Sequence, residues 1–226
     1  AVPASDEIRY AILEMKESTA GKDEVTISMI KSAGSDMLTD VILIAQSLWR
    51  TPHDKWEAST RAALGVLLWK GKGSRTDPNM YRQIVVISII PRVVARLVSR
   101  RLLNHAEEHN LLPSTQFGIR KNRSVSGPIL IVRLLLELSN EVDYKKQSTF
   151  DPMVATCADI MKAYAKVVRE AVYHHQKRVG VHPYLENILR GVYEGTEYQL
   201  KTRDGLSEPY QLGRGLKEGC PSAPVV

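Results

Sequence analysis

The amino-acid sequence predicts an α+β fold, and three observations carry that reading. Apolar residues recur at helical spacing along the first fifty residues and again after Pro91. Two apolar runs, at 62–69 and 84–90, are joined by a polar loop containing two glycines and a proline. A second pair of alternating segments flanks Asp204 and Gly205, a dipeptide suited to a tight turn.

The elements follow in order. Ser5 is placed to cap a first helix, with Asp6 and Glu7 in its first turn and Ile8, Ala11, Ile12 and Met15 along one face. Residues 19–23 form a glycine-containing turn. A short helix then runs to Gly34, and Ser35 opens another that bears Leu38, Val41, Ile42, Ala45 and Leu48 until Pro52 stops it. The runs at 62–69 and 84–90, the second rich in β-branched residues, read as a hairpin with a long basic tip at 70–83. From 92 to 108, Val93, Val94, Leu97, Val98 and Leu102 form a buried face, while Arg92, Arg96 and Arg100 at i, i+4 and i+8 make the other face positive. A further helix begins near Pro128 and runs through Leu138, followed by a polar connector at 144–148. Residues 152–158 read as a short strand ending at Asp159, and strand ends are where many α/β sites place a carboxylate. Residues 162–178 read as one helix closed by Gly180. Tyr198, Leu200 and Thr202, then Tyr210 and Leu212, form a second hairpin. Gly213, Gly215, Gly219, Pro221 and Pro224 make a final loop whose backbone can approach a ligand closely.

With 226 residues and 43% hydrophobic content, the chain can bury one substantial core or two small ones, which excludes intrinsic disorder. No stretch approaches the roughly 20 apolar residues of a membrane span. The opening Ala1-Val2-Pro3-Ala4 lacks a Met and a basic segment leading into an apolar one, so no secretory signal is expected and the chain reads as a fragment. Cys157 and Cys220 form neither a disulfide framework nor a zinc pattern, and an intracellular setting, cytoplasmic or nuclear, is expected. The net charge of +6 is unevenly spread: residues 51–124 carry +8 and the remainder −2. Such a block suits a surface that meets phosphate, where bound counterions are released, although a solvated face would show the same charge.

The motifs are more specific. Trp56 and Ala58, then Leu67-Leu68-Trp69-Lys70-Gly71-Lys72-Gly73, then Asp77-Pro78-Asn79-Met80-Tyr81-Arg82, lead into Ile87-Ser88 and Arg92-Val93-Val94-Ala95-Arg96. They are followed by Gln116-Phe117-Gly118-Ile119-Arg120-Lys121-Asn122-Arg123-Ser124, Ala158-Asp159-Ile160-Met161-Lys162-Ala163-Tyr164 and Gly215-Leu216-Lys217-Glu218-Gly219-Cys220-Pro221-Ser222-Ala223-Pro224. In order and spacing this set resembles the reverse transcriptases of non-LTR, LINE-type retrotransposons. Residues 6–31 resemble that family's N-terminal extension, so the likeness spans nearly the whole chain. It implies a helical N-terminal extension at 1–55, fingers at 56–150 and a partial polymerase palm at 151–226 that lacks the YxDD hairpin.

The resemblance implies an RNA-directed DNA polymerase fragment that binds an RNA template, a DNA primer and dNTP and is not expected to polymerise alone. Nucleotidyl transfer is an in-line phosphoryl displacement assisted by two divalent metals, Mg²⁺ or Mn²⁺, held by oxygen ligands. Asp159 and the backbone carbonyl of Ile160 match metal-binding positions. The remaining carboxylates belong to a YxDD motif, and no Asp-Asp pair occurs in this chain. They are therefore expected in a missing C-terminal palm and thumb of the parent protein. Tyr164 matches the aromatic position that packs on the incoming sugar and excludes a 2′ hydroxyl. Arg82 and one of Lys70 or Lys72 match fingers positions that hold the triphosphate, and Glu218 and Gly219 match a loop that touches nucleotide and template. Arg120 and Arg123 match positions near the template strand or nascent base pair, Lys121 between them is a further nucleic-acid candidate, and Arg96 and Arg100 offer a positive helix face to nucleic acid.

Four positions depart from the family pattern. Ala165 replaces an Asp, Glu218 replaces a Gln and places a negative charge near a triphosphate, Ala158 replaces a bulky residue, and Ile119 replaces a Phe. Lineage variation or decay of the copy would each account for them. Taken alone, Asp159 could be a helix cap, Tyr164 core packing and the lysines a solvated tip. The second functional class is a non-catalytic descendant that keeps the basic surface and binds nucleic acid or protein.

Overall fold

A computed structural model of the chain describes residues 1–144 and 154–226. They form two compact units, residues 1–105 with 162–226, and residues 106–161. The first unit holds the N-terminal helices, the hairpin and most of the C-terminal segment. The fold is α+β, as the sequence predicts.

In the first unit, α1 (Ser5–Leu13) is followed by α2 (Ile27–Ser32) and α3 (Gly34–Arg50). Ser5 is the first helical residue; Ala4 holds the cap position and supplies no side-chain hydrogen bond. Thr26 caps α2 by accepting from the Met29 N–H. A single turn, α4 (Ala58–Arg61), precedes β1 (Ala63–Trp69) and β2 (Tyr81–Ile87), which pair antiparallel with Trp69 opposite Tyr81 and Leu68 opposite Arg82. The hairpin is thus shifted from the sequence expectation. Residues 81–83 continue the ladder rather than the loop, and Ile89 and Ile90 open α5 (Ile89–Glu108). Pro91 lies in the first turn of that helix, where no intrahelical donor is lost.

α5 is the spine of the core. Its Val93, Val94, Leu97 and Val98 are fully buried and cluster with Ile8, Ile12, Ile27, Ile30 and Trp49 from the N-terminal helices. Arg92 is buried as well, with Nη1 donating to Ser18 Oγ and Nη2 to the Thr19 and Ile87 carbonyls. The expected positive face is therefore partly interior: an arginine whose apolar stem and paired head both find partners is stable inside.

The segment expected as one helix at 162–178 is two, α7 (Ala163–Lys166) and α8 (Arg169–Arg178), separated by extended backbone at Val167 and Val168. α9 (Pro183–Tyr193), which the sequence reading did not anticipate, starts with Pro183 at its first turn and a His182 Nδ1 cap on the Tyr184 N–H. β3 (Glu197–Thr202) then pairs in parallel with β1, Ala63 opposite Tyr198. The second hairpin returns in two pieces, β4 (Gly205–Leu206) and β5 (Tyr210–Gln211), both antiparallel to β3. The sheet order is β2-β1-β3-β4, with β5 also against β3. Leu212 lies beyond the ladder and is exposed.

In the second unit, α6 (Ser126–Tyr144) begins two residues before Pro128 and extends past Leu138. The expected connector at 144–148 falls beyond Tyr144 outside the described residues, as do the first two residues of the expected strand at 152–158. From 154 to 160 the chain forms no strand. Backbone in a strand needs a ladder partner, and among the described residues none pairs with this segment.

Candidate nucleotide and nucleic-acid site

The hairpin tip is built by short-range bonds. Lys70 N–H donates to the Met80 carbonyl at 2.8 Å and Lys70 Nζ to the Asn79 carbonyl at 2.6 Å. Asp77 accepts from the Asn79 N–H at 2.8 Å, and Arg75 stacks 4.8 Å from the Trp69 ring centre. Lys70 thus closes its own turn, whereas the side chains of Lys72 and Arg82 are exposed and make no hydrogen bond or ion pair among the described residues. Lys162 Nζ reaches Asn79 Oδ1 at 3.2 Å, which ties the start of α7 to the tip.

Two junctions place the other nucleotide candidates beside this hairpin. Val85 N–H, on the free edge of β2, donates to the Glu218 carbonyl at 2.6 Å. A Cβ on Gly219 would stand 2.8 Å from the Val85 carbonyl oxygen and 3.2 Å from Ile84 Cγ2, and its φ of +109° suits only glycine. Ile84 and Arg82 point to the same face of β2, being two residues apart. The second junction joins Tyr164, half-buried in α7, whose carbonyl accepts from Leu216 N–H at 2.8 Å. The final loop therefore approaches the protein's own backbone at Gly215 and Gly219, where the sequence suggested a ligand.

Two basic residues to which the sequence assigns no role hold this loop. Arg169, 8% exposed, donates from Nε to the Gly215 carbonyl at 2.8 Å and from Nη2 to the Arg214 carbonyl at 3.3 Å. Lys217, 2% exposed, donates from Nζ to the Val192 carbonyl in α9. Burial depresses the Lys217 ammonium to a pKa of about 7. A basic residue in a glycine-rich loop reads as exposed from sequence, as does an arginine within a polar helix, so nothing signalled either role.

Arg96 and Arg100 converge on Glu14 of the N-terminal region, at 3.3 and 3.8 Å, and Arg100 also lies over Tyr10. Glu14 is held below the usual carboxylate range by the Tyr10 hydroxyl first and then by these arginines. A pocket of about 290 Å³ opens nearby, between Lys16, Ser18, Thr19, Arg96, β2 and Gly219.

In the second unit, Arg120 makes a two-pronged pair with Glu107, Nε to Oε1 at 2.8 Å and Nη2 to Oε2 at 2.6 Å, and a third bond to the Pro113 carbonyl. That pair lowers the Glu107 pKa and raises that of Arg120. Arg123 binds the Ser114 carbonyl at 2.6 Å and stacks on Phe117. Both arginines thus have a structural task in closing the loop, while Lys121 is exposed. Asp159 and Ile160 are exposed on non-strand backbone.

Residues 70–226 match the family described as reverse transcriptase (RNA-dependent DNA polymerase). The chain belongs to the reverse transcriptase family. It is 24% identical over 98% of its length to the probable RNA-directed DNA polymerase from transposon BS of Drosophila melanogaster. It is 22% identical over 99% of its length to the retrovirus-related Pol polyprotein from type-1 retrotransposable element R2 of Popillia japonica. These relatives bear out the non-LTR retrotransposon resemblance of the sequence motifs. The chain covers 23% and 29% of those two proteins, about a quarter of their length.

Reverse transcriptases work on a nucleic-acid template with nucleotides and depend on divalent metal. Against that requirement, Asp159 and the Ile160 carbonyl offer oxygen donors, and no group of three or more Asp, Glu, His or Cys residues that could hold a metal ion is found among the described residues. The two fit a share of an oxygen-rich site and do not complete one. No helix among the described residues is long and apolar enough to cross a membrane.

Proposed function

We propose that this chain is the fingers and partial palm of a non-LTR retrotransposon RNA-directed DNA polymerase, and that it binds template-primer and dNTP. The observation that carries the reading is the double junction of the final loop. Glu218 and Gly219 are seated on β2 beside the Arg82 face, and Leu216 is bonded to Tyr164. Cation, close-approach backbone and aromatic ring are thereby gathered within the first unit.

In this reading Arg82 and Lys72 hold the triphosphate, Lys70 being committed to Asn79. Tyr164 packs on the sugar and excludes a 2′ hydroxyl, and the Glu218-Gly219 turn, seated against Val85 and Ile84 of β2, touches nucleotide and template. Asp159 and the Ile160 carbonyl would hold Mg²⁺ or Mn²⁺, which supplies charge stabilisation to the transferring phosphoryl group. Glu218 opposes phosphate and weakens nucleotide affinity relative to glutamine. Lys121 and the basic block meet the template, so affinity for it is expected to fall with salt.

The test is binding of a labelled RNA–DNA template-primer and of dNTP to the purified chain, with Mg²⁺ or Mn²⁺. Arg82→Ala is expected to weaken dNTP retention by about tenfold, the loss of a charge-assisted contact to phosphate, with a smaller effect on the duplex. Absence of dNTP binding, or duplex binding indifferent to salt, would remove the polymerase reading. Incorporation abolished by Asp159→Ala would extend it to catalysis by this segment.

A further inference from the structure

The break between α7 and α8 has a consequence for the loop that follows β5. Because Val167 and Val168 are extended, the Val167 carbonyl is turned out of the helix and accepts from Gly215 N–H at 2.8 Å. The next amide, Leu216 N–H, donates to the Tyr164 carbonyl at 2.8 Å. Arg169, the first residue of α8, closes the same junction through the Gly215 and Arg214 carbonyls. A Cβ on Gly215 would stand 2.9 Å from the Ala165 carbonyl oxygen, so loop and α7 lie in direct backbone contact.

Arg169 makes no ion pair with a carboxylate among the described residues, although it is buried. A buried cation without a counter-charge is costly, and its donors are answered here by the Gly215 and Arg214 carbonyls. The loop is pinned again at its far end, by Lys217 on the Val192 carbonyl and by Val85 N–H on the Glu218 carbonyl. Its start is fixed by Arg169 and its end by β2.

We propose that Arg169 is the positioning residue of the nucleotide site: its guanidinium locks the Arg214-Gly215 backbone to the start of α8, beside the loop's own bonds to Val167 and Tyr164, which sets the spacing between the Tyr164 ring and Gly219. This rests on the nucleotide-site reading above. Arg169 touches no nucleotide; it acts through Leu216 and Tyr164. Loosening it frees the Leu216 amide from the Tyr164 carbonyl and lets the ring shift against the loop. Discrimination against a 2′ hydroxyl depends on a steric clash, and a displacement of about 1 Å is enough to change such a contact by up to a hundredfold.

The test uses the 226-residue chain with template-primer, comparing Arg169→Ala and Arg169→Lys with wild type in two measurements. One is amide hydrogen exchange; the other is the ratio of dATP to ATP binding. In Arg169→Ala, the Gly215 and Leu216 amides are expected to exchange faster while those of Ile188 and Leu189 keep their protection, and the dATP preference is expected to fall by about tenfold. Arg169→Lys keeps the charge and one donor and should lie between; it carries the test if the alanine variant does not fold. Unchanged exchange at Gly215 and Leu216 would overturn the clamp. Faster exchange with the wild-type dATP preference retained would overturn the positioning role. A wild-type chain that binds neither nucleotide would bring down the nucleotide-site reading itself. Faster exchange in the alanine variant would then mark Arg169 as a structural clamp only.

Discussion

Lys217 stands in an environment that disfavours its charge. Its ammonium is buried against the Val192 carbonyl and the Tyr198 ring, with Arg169 and Arg61 adding like charge and Cys220 partly opposing it. The folded-state pKa of about 7 lies below the unfolded value of 10.5. Between those values the unfolded chain binds a proton that the folded chain does not, so stability rises with pH from 7 to 10.5. Below pH 7 both states are protonated and the cost of the buried cation is fully present. One proton sets the limit of that slope at about 1.4 kcal/mol per pH unit. Lys217→Met removes the titration, so denaturant melts at pH 6 and pH 9 should differ more for wild type than for the variant. Equal pH dependence in the two would refute the assignment. At α9, Gly191 faces Trp56, whose ring atoms lie 2.7–2.9 Å from the position a Cβ would take. Gly191→Ala should therefore overpack this contact and lower stability by about 1–3 kcal/mol, seen as a reduced melting temperature.

Among the elements, those with a strong local period were legible in the sequence. α1, α3 and α5 have apolar residues on one face, and the β1–β2 pair has apolar runs, the second rich in β-branched residues, around a glycine-containing loop. α9 carried the same signal in Leu185, Ile188, Leu189 and Val192 behind His182-Pro183, and could have been found. Two features were not legible because tertiary contacts decide them. The break at Val167 is explained by the loop amide that takes its carbonyl, and the buried state of Arg92 by the Ser18, Thr19 and Ile87 oxygens that surround it. Candidate site residues were readable by type but not by partner, and Arg96 and Arg100 show the difference. Glu14 pairs with both, so the helix face that reads as positive is partly offset by the N-terminal region. Glu14→Ala releases them: if this face meets nucleic acid, RNA affinity should rise and its salt dependence steepen by one to two phosphate contacts, roughly one unit of log–log slope for each. An unchanged slope would show that the face does not contact the template.

At the scale of the whole molecule, the first unit is assembled from distant stretches of chain, and the N-terminal helices supply part of its interior. Ile8 and Ile12 of α1 and Ile27 and Ile30 of α2 are at most 1% exposed and pack in the cluster around α5. Burying four such side chains contributes about 6–12 kcal/mol. A domain's net stability is about 5–15 kcal/mol, so this contribution is comparable with the whole margin. Arg101 adds to the connection by bonding Glu7 at 2.8 Å and stacking on Trp49. The N-terminal segment is therefore a structural part of this unit, and deletion of residues 1–33 should abolish its cooperative unfolding. Near-ultraviolet circular dichroism on heating is the measurement, since Trp49 and Trp56 report the packing of this unit. A truncated chain that melts in one sharp transition close to the wild-type temperature would show that α5 and the sheet form a self-sufficient core.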